Sequence, residues 1–228
     1  MAFENLFAQY DRLVLFDTET TGLAYHRDEI IEFAAVVVEQ ENGQPVVKEE
    51  YDQLITLSSG GFVPPMIEQL TGITNQDLRE KGVPKTRVCC DIARMVQGNT
   101  LLLAYNAHFD LSFLFYMLLR DGDPTILKGK DKLDLLTVYK DRHSYPHKLC
   151  NAIEVYDLSG KVVNSHRAVD DVLATVEVMK AMEEEKNDLL RYVNLFGYNP
   201  KYGVEGKPIG SVTYKPQRFD PIQPLYML

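Results

Sequence analysis

Hydrophobic positions along the chain fall into short apolar runs and longer amphipathic segments, the pattern of an α/β protein. The first run, residues 13–16, is apolar on both of its alternating faces, as in a buried central strand. Residues 29–39 and 45–57 are rich in β-branched side chains and are separated by a short turn. The first three strands are therefore predicted to form an antiparallel meander.

Beyond Pro65 the hydrophobic period changes to that of helices. Thr74 and Asp77 have the spacing of a helix N-terminal capping box. Residues 99–105 contain another short, wholly apolar strand at 101–104, and Asp110 is predicted in the first turn of the apolar helix that follows. Helices are predicted over residues 65–70, 74–81, 86–96, 111–120, 133–140, 147–156 and 166–190.

The composition changes near the C-terminus, where nine of residues 197–228 are Gly or Pro and tyrosines are frequent. A segment of this kind is not expected to build a core of its own. We predict a main domain over residues 1–192 and a C-terminal extension over residues 193–228, which either wraps the main domain or docks a partner.

Charge and composition narrow the class of protein. The net charge of −9 argues against nonspecific binding along a nucleic-acid duplex. No apolar run approaches the roughly 20 residues of a membrane helix, and the N-terminus lacks the pattern of a signal peptide. The three cysteines form no CxxC pair, which fits a reducing compartment. We therefore expect a cytoplasmic protein that does not contact a membrane.

Two acidic side chains close the first predicted strand on the same face. Successive side chains of a strand alternate, so Asp17 and Glu19 lie on one side and Thr18 on the other. Like charges at the end of a buried strand repel, and burying either one without a partner is costly. A divalent cation prefers carboxylate oxygens and would relieve the repulsion. A solvated acid pair is the alternative, but the apolar run before Asp17 favours a cation site.

Three polar blocks occur in order along the chain: FDTETTG at residues 16–22, NAHFD at 106–110 and HRAVDD at 166–171. Their order and spacing resemble the DnaQ-like 3′→5′ exonucleases, the DEDDh group with the ribonuclease H-like fold. The resemblance extends over about residues 10–190 and includes LTGIT at 70–74. It implies an α/β fold with a five-stranded mixed sheet, in the order 3-2-1-4-5, flanked by helices.

The resemblance also implies the catalytic residues. Four acids would bind two divalent cations, Mg²⁺ or Mn²⁺, and His166 would act as the general base. The acids are Asp17, Glu19, Asp110 and Asp171. Asp170 competes with Asp171 for the last position, but the family pattern places the acid five residues after the histidine. Asp171 also shares an apolar helical stripe, whereas Asp170 shares a more polar one.

Contacts with the terminal nucleotide are implied for five residues at the same junctions: Thr20, Gly22, Leu23, Asn106 and Phe109. In the family pattern Leu23 wedges against the terminal base, while Asn106 and Phe109 line the pocket. Burial statistics allow Leu23 and Phe109 to be core residues instead.

The implied reaction is hydrolysis of single-stranded DNA from the 3′ end, with release of nucleoside monophosphates, in proofreading like that of polymerase III epsilon or in repair. An RNA-trimming enzyme of the same family is the first alternative, because recognition of a 2′-hydroxyl is not evident from the sequence. A noncatalytic module that binds nucleic-acid ends or a polymerase is the second, and the presence of all five catalytic residues disfavours it. A calcium-binding structural domain is the third, and it leaves His166 unexplained.

The expected partners are single-stranded 3′ ends, with DNA favoured over RNA, and a DNA polymerase or a sliding clamp. The prediction of a clamp partner is based on residues 223–228, which resemble the peptides of glutamine and hydrophobic residues that bind bacterial clamps. The alternative is that Tyr226 and Leu228 pack onto the main domain.

Overall fold

A five-stranded mixed sheet forms the centre of the molecule. The structure is a computed structural model that describes residues 3–228, so residues 1–2, where the predicted main domain begins, lie outside the described residues. The strands are β1 (Arg12–Thr20), β2 (Ile30–Glu41), β3 (Gln44–Leu54), β4 (Thr100–Ala104) and β5 (Asp131–Asp134). They run in the order β3-β2-β1-β4-β5, with β1, β2 and β3 antiparallel and β4 and β5 parallel to β1. The predicted strand order is confirmed.

Helices cover the two faces of this sheet. They are α1 (Glu4–Phe7), α2 (Pro65–Thr71), α3 (Asn75–Lys81), α4 (Lys85–Met95), α5 (Ala107–Asp121), α6 (Leu135–Arg142), α7 (Leu149–Val155) and α8 (Ala168–Glu185). The predicted capping box is present, because the Asp77 amide donates to Thr74 Oγ1 and the Thr74 amide donates to Asp77 Oδ2, both at 3.1 Å. Among the helices of residues 3–228, none has the length and hydrophobicity that a membrane crossing requires.

The alternation of β1 divides the core into two layers. Leu13 and Leu15 pack in the layer that contains Val172 and other residues of α8. Val14 and Phe16 pack in the layer formed with α4 and α5. Asp17 and Glu19 continue the first of these faces, so β1 directs both acids towards the side of the sheet that α8 covers.

Two predicted helix boundaries were wrong. Leu133 and Asp134 belong to β5, and α6 begins only at Leu135. The Asp134 carboxylate accepts hydrogen bonds from the amides of Leu136 and Thr137 and so caps α6. A strand of four residues is too short to show an alternating pattern, which is why its last residues were assigned to the helix. The last long helix ends at Glu185 rather than near residue 190.

The C-terminal extension wraps the main domain and contributes to its core. Strands β6 (Leu195–Tyr198) and β7 (Thr213–Pro216) form a parallel two-stranded sheet. Phe196 is buried in the layer beside α4 and α5. The Gly197 amide donates to Thr137 Oγ1 at 3.0 Å, and Gln217 Nε2 donates to the Thr137 carbonyl at 2.9 Å. These contacts attach the extension to the start of α6.

The last residues also pack onto the main domain. The amide of buried Leu225 donates to Asp141 Oδ2 at 2.8 Å, and the Tyr226 hydroxyl donates to Asp188 Oδ2 at 2.7 Å. Packing of Tyr226 was predicted, whereas Leu228 is exposed and its predicted packing was wrong. Binding of residues 223–228 to a sliding clamp would require these contacts to break.

Candidate active site

Three of the predicted acids converge at the end of β1. Asp17 and Glu19 belong to the last part of β1, and Asp171 lies in the first turn of α8. One carboxylate oxygen from each lies within 4.8 Å of those of the other two, and no second group of this kind occurs among residues 3–228. Oxygen atoms so arranged suit hard divalent cations.

Asp110 approaches the same group from the other side of β1. It lies in the first turn of α5 and is 3% exposed. Its Oδ1 accepts hydrogen bonds from the Thr18 amide at 3.1 Å and from Thr18 Oγ1 at 2.7 Å. Because both bonds use Oδ1, the Oδ2 atom is the one left to face a cation. Because Thr18 lies between Asp17 and Glu19 in β1, its two hydrogen bonds hold Asp110 next to both of these acids.

Burial and mutual repulsion raise the pKa values of these acids. Burial raises the pKa of Asp17 well above its usual range, and the charges of Asp110 and Glu19 add to the effect. Burial, followed by the charge of Asp171, raises the pKa of Glu19 to about 8. Burial raises the pKa of Asp110 to about 7 despite the opposing hydrogen bonds from Thr18. The cluster therefore takes up positive charge readily, as protons or as a cation.

We expect the stability of the metal-free protein to fall as the pH rises from about 4.5 to about 8, the ordinary and the raised pKa of Glu19. Over this range Glu19 holds a proton in the folded chain but not in the unfolded chain, so each rise in pH favours unfolding. Mg²⁺ takes the place of the protons and should flatten the dependence. Thermal unfolding with chelator and with Mg²⁺ at both ends of the range measures this. Stability that rises with pH in chelator would contradict it.

Residues in an unusual backbone conformation precede both helices that carry site acids. Asn106, before α5, has φ of 74°, and His166, two residues before α8, has φ of 58°. A non-glycine residue in this left-handed region is strained by about 1–2 kcal/mol, although asparagine tolerates it best. Such strain persists only where the surroundings impose it, and it is concentrated at functional sites. His166 is exposed and lies beside Asp171. Burial raises the pKa of Asp171, while the hydrogen bond from Asn164 and the charge of His166 act in the opposite direction.

A buried glutamate holds the turn that carries His166. Glu32 of β2 is fully buried and pairs in register with Glu19. Its carboxylate accepts hydrogen bonds from Arg167 Nε at 2.8 Å and from the Ala168 amide at 2.7 Å. Glu32 is not among the predicted site residues. The available signal was an acid inside the apolar segment 29–39, since a buried charge requires a partner.

We expect Glu32→Gln to lower both stability and turnover. A neutral amide in place of this carboxylate leaves the Arg167 guanidinium without its counter-charge. Because the Arg167 side chain is 38% exposed, water compensates part of the loss, and we expect a cost of about 1–2 kcal/mol. The turn carrying His166 should then loosen, so kcat should fall about tenfold or more. Thermal unfolding and steady-state kinetics measure the two effects.

Glu39→Gln is the matched control for that variant. Glu39 belongs to the same strand and accepts a hydrogen bond from Arg12 Nε at 2.9 Å, but it pairs with the start of β1 rather than its end. Its loss should leave kcat unchanged. Normal kcat in a folded Glu32→Gln protein would refute the role given to Glu32.

The loop after β1 is tightly closed and presents one apolar side chain. Thr20 Oγ1 donates to the Gly22 carbonyl at 2.6 Å, and the Ala24 amide donates to Asp28 Oδ2 at 2.8 Å. A Cβ atom at Gly22 would lie 2.3 Å from Asp28 Oδ2, so a larger residue there would displace the carboxylate that the Ala24 amide binds. Leu23 is 80% exposed, which rules out the core alternative for this residue.

The predicted substrate residues divide into two groups. Leu23, Asn106 and Phe109 line a common cavity of about 490 Å³. Phe109 is half-buried against Phe113, with ring centroids 4.9 Å apart. Thr20 and Gly22 instead shape the turn from which Leu23 projects.

Comparisons with known proteins show similarity to exonucleases and to DNA polymerase III proteins. The family model described as Exonuclease, RNase_T, matches residues 14–179. The chain is 30% identical over 189 residues to DNA polymerase III subunit epsilon of Treponema pallidum, covering 80% of this chain and 82% of that protein. It is 33% identical over 165 residues to the 3′-5′ exonuclease DinG of Bacillus subtilis, covering 64% of this chain but only 17% of DinG. A PolC-type DNA polymerase III of Caldanaerobacter subterraneus is 31% identical over 180 residues, which are 77% of this chain and 12% of that protein.

Solved structures with the same fold include exonuclease I of E. coli. Its complex with a dA16 oligonucleotide superposes with a TM-score of 0.69 and 21% identity, covering 80% of this chain and 42% of that one. A zinc-ion-bound form of the E. coli ExoI–ssDNA complex gives a TM-score of 0.68 and 24% identity, covering 81% and 43%. The predicted ribonuclease H-like fold class is confirmed.

Proposed function

The chain belongs to the exonuclease family, as its resemblance to the DnaQ-like enzymes predicted, and we propose that it is a metal-dependent 3′→5′ exonuclease acting on single-stranded DNA ends. One observation carries this proposal. Carboxylate oxygens of Asp17, Glu19 and Asp171 lie within 4.8 Å of one another, with Asp110 tied to the same strand through Thr18.

The donor set fits two divalent cations, Mg²⁺ or Mn²⁺. All four proposed ligands are carboxylates, and their raised pKa values reflect burial and repulsion that a cation would relieve. Bound cations would offset the negative charge of the phosphate and lower the pKa of an attacking water. The net charge of −9 would then no longer repel a nucleic-acid end at the site itself.

The residues around the cluster supply the remaining chemistry. An imidazole nitrogen of His166 would accept the proton of the attacking water, because imidazole is the side chain that titrates near neutral pH. Water attacks the phosphorus, the bond to the 3′-oxygen of the preceding nucleotide breaks, and a nucleoside 5′-monophosphate leaves. Leu23, Asn106 and Phe109 would hold the terminal nucleotide. Stacking on Phe109 accepts every base, as an exonuclease requires.

The relatives support DNA as the substrate and polymerase-associated proofreading as the role. Two of the three named above are DNA polymerase III proteins. The epsilon subunit is matched over most of its length, and a DNA polymerase is the partner we favour. The sliding clamp receives no such support, because Leu225 and Tyr226 are engaged by Asp141 and Asp188.

Degradation of matched 5′-labelled single-stranded DNA and RNA tests the proposal, with Mg²⁺, Mn²⁺ or chelator in parallel. We expect a ladder that shortens from the 3′ end, requires metal and forms faster on DNA. Faster degradation of RNA would favour the RNA-trimming alternative. No cleavage of either strand would leave the noncatalytic binding module as the better account.

A further inference from the structure

The cavity that contains Leu23, Asn106 and Phe109 has a second wall made by the C-terminal extension. We call it the extension cavity. The extension contributes residues of β6, of the loop between β6 and β7, and of β7, among them Phe196, Tyr198, Tyr202, Glu205 and Tyr214. None of these lies within residues 14–179, the part that the family model matches. None of the four proposed metal-binding acids lines the cavity.

The extension wall is held in place by hydrogen bonds to the main domain. The Tyr214 hydroxyl lies 2.6 Å from His108 Nδ1 and accepts a hydrogen bond from the Ile209 amide at 3.2 Å. The Lys207 amide donates to the Tyr25 hydroxyl at 3.1 Å. A wall fixed in this way does not have to be ordered when a ligand binds, which favours affinity.

The lining of the extension cavity has the chemistry that binds a nucleotide. Tyrosine and phenylalanine rings surround it, and bases stack on such rings whatever their sequence. Lys140 is the one lysine or arginine among the lining residues, and its ammonium has no hydrogen-bond or ion-pair partner within residues 3–228. The Asp134 carboxylate is already bonded to the amides of Asn106, Ala107 and Thr137. A phosphate is the natural counter-ion for the free ammonium.

We propose that the extension wall of this cavity binds a nucleotide upstream of the terminal one that Leu23, Asn106 and Phe109 would hold, so that the C-terminal extension forms part of the substrate path. The inference rests on the proposed exonuclease function. A 3′-terminal nucleotide carries only the phosphate that is attacked at the acids. A second phosphate near Lys140 therefore belongs to a nucleotide further along the strand, whose base lies against the tyrosines of the extension.

Two substrates separate this subsite from the catalytic centre. The p-nitrophenyl ester of thymidine 5′-monophosphate has a scissile phosphate but no upstream nucleotide, whereas a single-stranded oligothymidylate has both. Tyr202→Ala and Lys140→Gln should each raise KM for the oligonucleotide about tenfold and leave hydrolysis of the ester unchanged. Lys140→Gln should also weaken the salt dependence of oligonucleotide binding. Removing the one exposed carboxylate of the lining, by Glu205→Gln, should lower that KM.

Matched controls lie elsewhere on the surface. Tyr145 is 84% exposed, against 74% for Tyr202, but does not line the extension cavity, and Lys128 lines a different one. Tyr145→Ala and Lys128→Gln should leave both substrates unaffected. An unchanged KM for the oligonucleotide in Tyr202→Ala and Lys140→Gln would overturn the proposal, and so would an equal rise for both substrates. If the unaltered protein hydrolyses neither substrate, it is the exonuclease function that fails.

Discussion

Replacing Asp17 with alanine should abolish hydrolysis while leaving the fold intact. Glu19 and Asp171 supply oxygens to the same group as Asp17, and the Asp110 charge contributes to the raised pKa of Asp17. Asp17 would therefore hold the proposed cations together with these acids. Removing it should lower kcat by about a thousandfold or more. The substitution removes a repelled charge rather than core volume, so the melting temperature in chelator should not fall.

Asp170→Ala is the control for this experiment. Asp170 is adjacent to Asp171 on α8, but its carboxylate accepts a hydrogen bond from Ser165 Oγ and does not belong to the group of three. Its removal should leave kcat within about tenfold of the unaltered protein. Turnover of Asp17→Ala at that level would show that the site is wrongly assigned. A stabilisation by Mg²⁺ that persists undiminished in Asp17→Ala would place the cation elsewhere.

The shared face of Asp17 and Glu19 and the choice of Asp171 could be predicted from local patterns, whereas the strand order and the meeting of the four acids were implied by the resemblance to the DnaQ-like exonucleases. The alternation in residues 13–16 fixed which face Asp17 and Glu19 share, and the helical stripe distinguished Asp171 from Asp170. In the structure Asp171 is buried and Asp170 is not. Each of these predictions uses residues close together in sequence, for which a single element fixes the geometry.

Features that depend on distant residues were not predictable in this way. Glu32 reads as an irregularity in an apolar strand until its bonds to Arg167 and Ala168, across more than a hundred residues of sequence, are known. The left-handed conformation of His166 has no local signal, because glycine is the residue that normally indicates it. The packing of Phe196 was hidden in a segment whose glycines and prolines indicated a loop.

Replacing His166 should slow the reaction without removing the metal site. His166 is exposed and lies outside the group of three carboxylates, so its loss leaves the ligand oxygens in place. Removing a general base typically lowers the rate about a hundredfold to ten-thousandfold. We expect kcat of His166→Ala to fall within that range, while Mn²⁺ still raises the melting temperature. At saturating Mn²⁺, which keeps the carboxylates deprotonated, the fall in rate on the acid side of the pH profile should also disappear.

The backbone at this position requires a second variant, because alanine is strained at φ of 58°. Asparagine tolerates the left-handed region but cannot act as a base near neutral pH, so His166→Asn separates lost chemistry from a displaced turn. Both variants should be slowed equally, whereas His26→Ala, at an exposed histidine in the loop between β1 and β2, should retain full turnover. If His166→Asn keeps kcat and its pH profile while His166→Ala loses activity, the residue shapes the turn and another group accepts the proton. If both are slow and, at saturating Mn²⁺, independent of pH on the acid side, His166 is the group that accepts the proton.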